Sequence, residues 1–511
     1  MQNFSRSFLK IQPSDTLIPL KNQLSSKIES LLDLPELERL KFLYNSNSSY
    51  TKPFNHLSTT RYQHSVHSAS QVRQLSIDIN THERIVLEAA LLFHDIGHTP
   101  GSHSMDYIFS SMTNSPDIHS WGFGKNEFHE YHGAELIGKG ESTQRIRDCL
   151  GKWAFGDLMS VLTFDDKRTH KEKCECYGEF TPSLAPHRIH QLYELKETLD
   201  RTSYLQLDYS TAGYKPEMIL NSERVLEKYK KRLFLDSRDV IVLRDTTDVT
   251  DSFEDILQLR RNHFMEIAGH PLNQLVVSFL QKSIWRKIQS QEDFIKNPYL
   301  TLKNDLLSGQ YHKVFDQETM EFLFGESKTC LIDRIVPMVT IDESMLTALG
   351  KKYLEVPDKF YPNLTRSLCD VPEYKVSLAE LHLNYYLKLR GINATIYFIV
   401  TNHIDKPFEY VTGNKVSTQL CKHEPKENVR QIIVAADCIE QNWNDIKKLK
   451  SIVEEYFVKC GWVPNNFPFY KVYCSRVFVD PVTQSKFSDE CVDKIKQIEP
   501  MWMKKYEKTL F

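Results

Sequence analysis

The chain has 511 residues, and its 41% hydrophobic content with only 18 glycines and 21 prolines excludes disordered, collagen-like and low-complexity classes. With 64 Lys and Arg against 67 Asp and Glu, the formal net charge is −3, so no global basic field favours nonspecific nucleic-acid binding. The 19 histidines stand out, because imidazole is a common metal ligand and the usual proton carrier near neutral pH. Their grouping along the chain therefore decides which chemistry is available.

Cysteine usage and hydropathy predict a cytoplasmic protein. The ten cysteines are sparse and irregularly spaced, which is typical of a reducing compartment. The first 20 residues lack a signal-peptide pattern, and apolar runs such as 396–400 are far shorter than a membrane span. The basic run 228–232 is predicted to be a solvated helix face in preference to a nuclear localisation signal.

Residues 25–300 are predicted to be mostly helical. Ile85, Val86, Ala89, Ala90 and Phe93 repeat with the spacing of one buried helix face, and this helix runs directly into His94 and Asp95. The stretches 115–125 and 165–186 lack this periodicity and are predicted to be surface insertions.

The last part of the chain changes character. Residues 301–379 are predicted to be a mixed connecting region, with a short apolar run at 331–339. The segments 394–400, 430–436 and 469–479 are rich in β-branched and aromatic residues, and a helical stretch covers 443–458. The predicted fold is therefore mainly α, with a C-terminal α+β module at 380–511.

Three separate segments, 61–65, 94–106 and 200–208, contain the residues with the clearest chemistry. Adjacent His94 and Asp95 offer an imidazole nitrogen and a carboxylate oxygen to one point, which suits a transition metal. Gly97 and the Pro100-Gly101 pair predict a tight turn just after them.

The third segment is predicted to present polar side chains from one helix face. Asp200, Tyr204 and Asp208 are spaced four residues apart, so they project on the same side. A neighbouring apolar stripe packs the helix against the core and contains Leu192, Leu195 and Leu199. A solvated amphipathic helix would explain this segment by itself, but not its combination with the other two.

The ordered motifs R-x-x-H, H-D-x-G-H-x-x-x-S-H-x-x-D, H-E and D-[KR]-x-x-Y-x-x-x-D resemble those of the HD-domain phosphohydrolases, in particular the deoxynucleoside triphosphate triphosphohydrolase branch. With a weaker match beginning at Arg39, the resemblance covers 39–208 within a helical domain predicted at 1–300. It implies hydrolysis of (deoxy)nucleoside triphosphates to nucleoside and inorganic triphosphate, dependent on a divalent Fe, Mn, Zn or Mg ion. It also implies a homo-oligomer and a nucleotide activator.

The resemblance assigns three groups of residues by their positions in these motifs. The residues that match metal ligands are His64, His94, Asp95 and Asp200. The residues that match the catalytic polar group around the α-phosphate are His98, His103, Asp106 and His129. The residues that match substrate-binding positions are Asn45, Arg61, Arg201, Tyr204 and Asp208.

Several positions depart from the family pattern. Asn45 and Ser46 replace the Gln-Leu pair that helps such enzymes to prefer deoxyribose, and Arg201 replaces a common lysine. His67 and His132 are additional histidines, predicted to have supporting or packing roles and not to be metal ligands.

Three alternative interpretations remain open. Cys174, Cys176, His170 and His187 could form a second metal site, although a surface loop is favoured because the cysteine spacing is unusual for zinc. An HD phosphodiesterase or nuclease acting on cyclic or oligomeric nucleotides would use the same metal ligands, which leaves nucleic acid open as a partner. A nucleotide-sensing regulator without turnover is the third interpretation.

Overall fold

The computed structural model describes residues 24–45, 59–103, 105–106, 128–211, 215–231, 233–235, 241–243, 256, 259–260, 263, 335–342, 346–348, 383–392, 394–401, 408–412, 415–419, 431–437 and 443–465. The predicted insertion at 115–125 and the predicted strand at 469–479 lie outside these residues. The described chain is mainly helical, as predicted.

The helices of the N-terminal part follow one another along the chain. They are α1 (Ser26–Glu29), α2 (Pro35–Glu38), α3 (Arg61–Ser70), α4 (Thr81–Phe93), α5 (Phe128–Lys139), α6 (Thr143–Leu150), α7 (Lys152–Leu162), α8 (His170–Tyr177), α9 (Pro186–Thr211) and α10 (Pro216–Lys231). Single turns of 3₁₀ helix follow α2 at Arg39–Phe42 and α3 at Gln71–Gln74.

Local sequence sets the starts of α3 and α4. Thr60 accepts a hydrogen bond from the Gln63 backbone at 3.2 Å, and the Gln63 side chain accepts one from the Thr60 backbone at 2.8 Å. Asn80 and Glu83 form the same reciprocal capping box at 3.0 and 2.9 Å. The two helices that deliver His64 and His94 therefore begin at defined residues.

Helix α9 packs through the predicted leucine stripe. Leu192, Leu195 and Leu199 are buried, and α9 contacts α3, α4 and α7. Burial of each leucine side chain contributes roughly 1.5–3 kcal/mol, so this stripe fixes the helix against the core. The predicted buried face of α4 is also confirmed, with Val86, Ala89, Ala90 and Phe93 all inaccessible to solvent or nearly so.

Two sequence predictions for surface segments were wrong in part. The stretch 165–186 contains helix α8, and Tyr177 at its end is fully buried and donates a hydrogen bond to Asp166 at 2.8 Å. In the basic run at the end of α10, Lys230 is buried and its Nζ donates to Gln74 Oε1 at 2.8 Å. A charged or polar run does not by itself show which of its side chains tertiary contacts turn inwards.

The described strands follow α10, and the first two lie inside the stretch predicted to be mostly helical. Strands β1 (Leu233–Leu235) and β2 (Ile241–Leu243) pair, as do β5 (Phe408–Thr412) and β6 (Lys415–Gln419). A three-stranded antiparallel sheet has the order β3 (Ile335–Asp342), β7 (Gln431–Asp437), β4 (Thr395–Thr401). Helix α11 (Trp443–Lys459) contacts β3 and confirms the predicted helix.

The predicted strands at 394–400 and 430–436 are thus confirmed as β4 and β7. Their sheet takes β3 from upstream of residue 380, inside the region predicted to be a connection. The domain boundaries themselves stay predictions. Among the described helices, none is long and apolar enough to cross a bilayer.

Candidate active site

Three helical segments bring together the four residues that match metal ligands, named here the Asp200 cluster (His64, His94, Asp95 and Asp200). His64 lies on α3, His94 and Asp95 follow α4, and Asp200 lies on α9. His64 Nε2 is 2.8 Å from Asp200 Oδ1 and 3.2 Å from His94 Nε2, and His94 Nε2 is 3.2 Å from the same carboxylate oxygen. Three potential ligand atoms therefore face one point.

Asp95 lies beside this point, and the three residues whose ligand atoms are close enough together to hold one ion are His64, His94 and Asp200. Asp95 Oδ1 lies 3.5 Å from His94 Nε2, and its Oδ2 lies 3.8 Å from His64 Nε2. The residue is 3% exposed, so its charge is held away from solvent. Two imidazoles and two carboxylates form a donor set that suits a divalent transition metal.

The hydrogen bonds and charges around His94 suit a role as a metal ligand. His94 Nδ1 lies 2.8 Å from the Leu91 carbonyl oxygen, which only accepts, so Nδ1 carries a proton and the Nε2 lone pair can face a cation. Burial lowers the pKa of His94, but the Asp95 and Asp200 carboxylates outweigh it and raise that pKa to about 9. The carboxylates that would hold a proton here can hold a metal ion in its place.

Arg61 is directed towards the Asp200 cluster. It is buried, and its guanidinium donates to Asp95 Oδ2 at 2.8 Å and to Ser102 Oγ at 3.2 Å. Burial raises the pKa of Asp95, but Arg61 and the neighbouring histidines lower it well below its usual range. The Asn45 carbonyl oxygen also accepts from Arg61 at 3.3 Å, so the structure places this predicted pair side by side.

The residues that match catalytic positions form a second group, named here the Asp106 cluster (His98, His103, Asp106 and His129). Asp106 Oδ2 lies 3.0 Å from His103 Nδ1 and 2.8 Å from His129 Nδ1. Asp106 Oδ1 also accepts from the His129 backbone nitrogen at 3.1 Å. One buried carboxylate thus orients two imidazoles.

The two clusters meet at Asp95. The His98 ring stacks on the His129 ring with centroids 4.0 Å apart, and His98 Nε2 lies 3.2 Å from Asp95 Oδ1. His98 is fully buried, and neither of its ring nitrogens makes a hydrogen bond of good geometry with the residues that the structure describes. Such a buried polar atom is expected to bind a partner.

The two outer histidines of the Asp106 cluster differ in exposure. The His103 side chain is 58% exposed, whereas that of His129 is 13% exposed. Burial lowers the pKa of His129, but the Asp106 carboxylate outweighs it and raises that pKa above its ordinary value. His129 is therefore the histidine of this pair that a carboxylate holds protonated.

Gly97 sets the distance between the two clusters. A Cβ atom at Gly97 would lie 1.9 Å from the His129 carbonyl oxygen and 2.4 Å from the Gly133 nitrogen. Because only glycine lacks this atom, the turn after His94 can press directly on α5. The break in regular structure that the sequence predicted here is confirmed as a turn.

The far half of α9 carries the other predicted substrate residues. Arg201 pairs with Glu197 at 3.0 Å, and Tyr204 is half-buried. The Asp208 carboxylate is buried and lies 2.7 Å from His263 Nε2, while the His263 ring lies 5.1 Å from that of Tyr204. Sequence reasoning missed His263 because it lies 55 residues after Asp208 and outside every motif.

The remaining histidine predictions can be placed. His132 is buried and stacks on the Phe128 ring, with centroids 5.6 Å apart, which fits its predicted packing role. His67 Nδ1 lies 2.8 Å from Ser203 Oγ, and the same oxygen lies 3.2 Å from His64 Nδ1. His67 therefore adjoins a predicted ligand through one hydroxyl group. Ser203 was not singled out by the sequence.

The cysteine-containing segment does not form a metal-like group. Cys174 Sγ lies 3.6 Å from His170 Nε2, and Cys176 Sγ accepts from Arg168 at 2.8 Å. Within the described ranges, the groups of side chains that could hold a metal ion are His64, His94 and Asp200, and the Asp106 cluster.

Comparison with known proteins agrees with this site. Residues 61–158 match the HD domain family model, a range that includes three members of the Asp200 cluster and all of the Asp106 cluster. The chain therefore contains an HD domain, which implies metal-dependent phosphohydrolase activity, and the Asp200 cluster fits the metal site.

Two similar proteins extend beyond the HD domain. The uncharacterized protein YwfO of Bacillus subtilis (strain 168) is 21% identical over 419 residues, which cover 78% of this chain and 81% of the relative. The crystal structure of a hypothetical protein from Aquifex aeolicus superposes with a TM-score of 0.50 at 14% identity, covering 84% of this chain and 96% of that one. This structural likeness extends to the fold alone.

Proposed function

We propose that this protein hydrolyses (deoxy)nucleoside triphosphates to nucleoside and inorganic triphosphate. The observation that carries the proposal is the contact between the two clusters, since Asp95 belongs to the Asp200 cluster and lies 3.2 Å from His98 in the Asp106 cluster. A cation site beside a set of oriented histidines can bind a phosphate and protonate its leaving group at the same point.

The Asp200 cluster and two arginines would bind the metal and the phosphate groups. When bound in the Asp200 cluster, a divalent cation supplies charge neutralisation and water activation. Two imidazole ligands favour Zn, Fe or Mn over Mg, which prefers oxygen ligands. Arg61 and Arg201 offer guanidinium groups for phosphate oxygens.

The Asp106 cluster supplies the proton for the departing 5′ oxygen. His129 is the better acid, because the Asp106 carboxylate raises its pKa and so favours its charged form. His103 contacts the same carboxylate but is largely exposed, so it is the weaker candidate. His98, stacked on His129 and buried beside Asp95, would face the α-phosphate.

The rest of α9 would hold the nucleoside. Tyr204 and Asp208 follow Asp200 at successive turns of this one helix, so a sugar would lie next to the phosphate-binding residues. His263 orients the Asp208 carboxylate at 2.7 Å and would leave its second oxygen for the 3′-hydroxyl. A homo-oligomer and a nucleotide activator belong to the same proposal.

One experiment tests the reaction. Purified protein is analysed for bound metal, loaded with Mn²⁺, Fe²⁺, Zn²⁺ or Mg²⁺, and incubated with each dNTP, each NTP, a cyclic nucleotide and a short oligonucleotide. We expect nucleoside and inorganic triphosphate from the triphosphates only. Nucleoside monophosphates from the cyclic or oligomeric substrates would instead support a phosphodiesterase or nuclease, and binding without products would support a regulator.

A further inference from the structure

Ser203 lies between two histidines of α3. It is fully buried on α9, three residues after Asp200. Its hydroxyl oxygen lies 3.2 Å from His64 Nδ1 and 2.8 Å from His67 Nδ1. A single hydroxyl group therefore joins the predicted ligand His64 to a histidine outside the Asp200 cluster.

The neighbouring Gln71 fixes the protonation of His67. Gln71 presents its amide nitrogen to His67 Nδ1 at 3.3 Å and its Oε1 to the Thr202 hydroxyl at 2.9 Å, and that hydroxyl also lies 3.0 Å from the Leu199 carbonyl oxygen. Because the amide nitrogen only donates, His67 Nδ1 must accept. Burial lowers the pKa of His67 to about 3, which agrees with a neutral ring bearing its proton on Nε2.

The direction of the remaining bonds follows from donor counting. The one hydroxyl proton of Ser203 is donated to His67 Nδ1, the shorter of its two contacts. Its oxygen then has a lone pair free to accept the proton on His64 Nδ1. His64 is thereby held in the tautomer whose Nε2 carries a lone pair towards Asp200 and His94.

We propose that Ser203 and His67 are positioning residues that fix the tautomer of His64 and so set the metal affinity of the Asp200 cluster. Without these hydrogen bonds from Ser203 and His67, the proton of His64 could move from Nδ1 to Nε2. There it would be donated to Asp200 Oδ1 at 2.8 Å and would compete with a cation. The inference rests on the proposed function only in requiring a cation at this cluster.

The test measures metal binding directly. The dissociation constants of Zn²⁺ and Co²⁺ are measured by competition with a chelating dye, together with the visible absorption of bound Co²⁺. Loss of a hydrogen-bond partner behind a metal-bound histidine weakens binding about 10- to 100-fold, which is the effect expected for Ser203→Ala. Ser222→Ala is the matched control, since this buried serine on α10 donates to the Ile219 carbonyl at 2.7 Å.

Variants of His67 keep the inference testable if Ser203→Ala folds poorly. His67→Phe removes the acceptor and should weaken Co²⁺ binding and change its spectrum as Ser203→Ala does. His67→Asn retains an acceptor oxygen and should restore most of the affinity. Both residues act through the same series of hydrogen bonds to His64. The double variant Ser203→Ala/His67→Phe should therefore bind Co²⁺ no more weakly than the worse single variant.

The outcomes separate this inference from the proposed function. Ser203→Ala and His67→Phe proteins that bind Co²⁺ within about twofold of the parent, with an unchanged spectrum, would overturn the positioning role, since that change is far below the expected loss. A parent protein that binds metal but hydrolyses no triphosphate would overturn the proposed function alone. In that case the difference between parent and variant affinities still decides the inference.

Discussion

In the Asp200 cluster, two histidines turn their Nε2 atoms towards one carboxylate oxygen, whereas in the Asp106 cluster two histidines turn their Nδ1 atoms towards one carboxylate oxygen. In the first arrangement, the two nitrogens also face each other at 3.2 Å. A single proton cannot form hydrogen bonds between the two nitrogens and from each of them to the carboxylate. The space between these three atoms therefore suits a cation.

The second arrangement places each histidine proton on its own hydrogen bond to Asp106. The Nε2 atoms of His103 and His129 are then available to exchange protons with a ligand, as in carboxylate-oriented acids and bases. Under the proposed function, the same residue types would bind a metal in one cluster and transfer a proton in the other, and the Asp106 cluster also has the donor set to hold a metal ion. The difference comes from which imidazole nitrogen meets the carboxylate.

The largest expected effect is on the Asp200 cluster. Asp200→Asn replaces the carboxylate shared by two histidines with a neutral amide, so Zn²⁺ affinity should fall by more than about 100-fold and triphosphate hydrolysis should be lost with it. Metal content of the purified protein and dye competition measure this. Asp106→Asn is the control and should retain metal; equal metal loss in both variants would contradict the division between the clusters.

The next effect should separate the two outer histidines of the Asp106 cluster. His129→Gln should lower kcat by about 100- to 10,000-fold, the usual contribution of a general acid, without changing metal content. His103→Gln should cost less, because that side chain is largely exposed. Steady-state kinetics with the best triphosphate substrate measures both, and a larger loss for His103→Gln would reverse the assignment.

The pH profile tests the same assignment. The Asp106 carboxylate raises the pKa of His129, so the acid form is present below that raised pKa and activity should fall as pH rises through it. In Asp106→Asn this carboxylate is gone, and the alkaline limb of kcat/KM should move to lower pH. A limb that stays in place would show that another group is the acid.

A smaller effect is expected where the clusters touch. Gly97→Ala inserts a methyl group 1.9 Å from the His129 carbonyl oxygen, so α5 must move and the free energy of unfolding should fall by about 1–3 kcal/mol or more. Gly133→Ala is a graded control, because its Cβ would lie 3.3 Å from the Gly97 nitrogen. Thermal unfolding and hydrolysis rates should both show the larger loss for Gly97→Ala.

The smallest effect concerns Lys230, a buried amine that donates to Gln74 and lies near His67. Burial lowers the pKa of Lys230 to about 8 from an ordinary 10.5. Below pH 8 the buried amine is charged, and the free energy of unfolding is reduced by the full cost of burying that charge. Between pH 8 and 10.5 the folded state binds fewer protons than the unfolded state, and stability should rise with pH. Lys230→Met should remove that contribution and raise the melting temperature at pH 7 by about 2–4 °C.

The control measurement for Lys230→Met is the metal affinity of the Asp200 cluster. Lys230 lies beyond His67, whose pKa it also lowers, and does not contact a predicted metal ligand. Metal affinity should therefore stay within about threefold of the parent, since a charge that lies beyond His67 contributes less than the groups touching the ligands. A large loss would show that charge behind His67 matters as much as its hydrogen bond.

Much of the helical architecture followed from the sequence alone. The apolar period of α4 and the leucine stripe of α9 are local patterns, and such patterns show which face a helix buries. The resemblance to the HD-domain motifs likewise grouped the residues of both clusters. Strands β4 and β7 were recognisable from their β-branched composition.

Only the tertiary structure decided how those residues meet. The pairing of Asp208 with His263, the hydroxyl of Ser203 between His64 and His67, and the contact of Gly97 with the His129 backbone each join distant parts of the chain. The sequence determined which side chains could bind a metal or carry a proton. Helix packing determined which imidazole nitrogen faces each carboxylate, because that orientation depends on neighbours supplied by other helices.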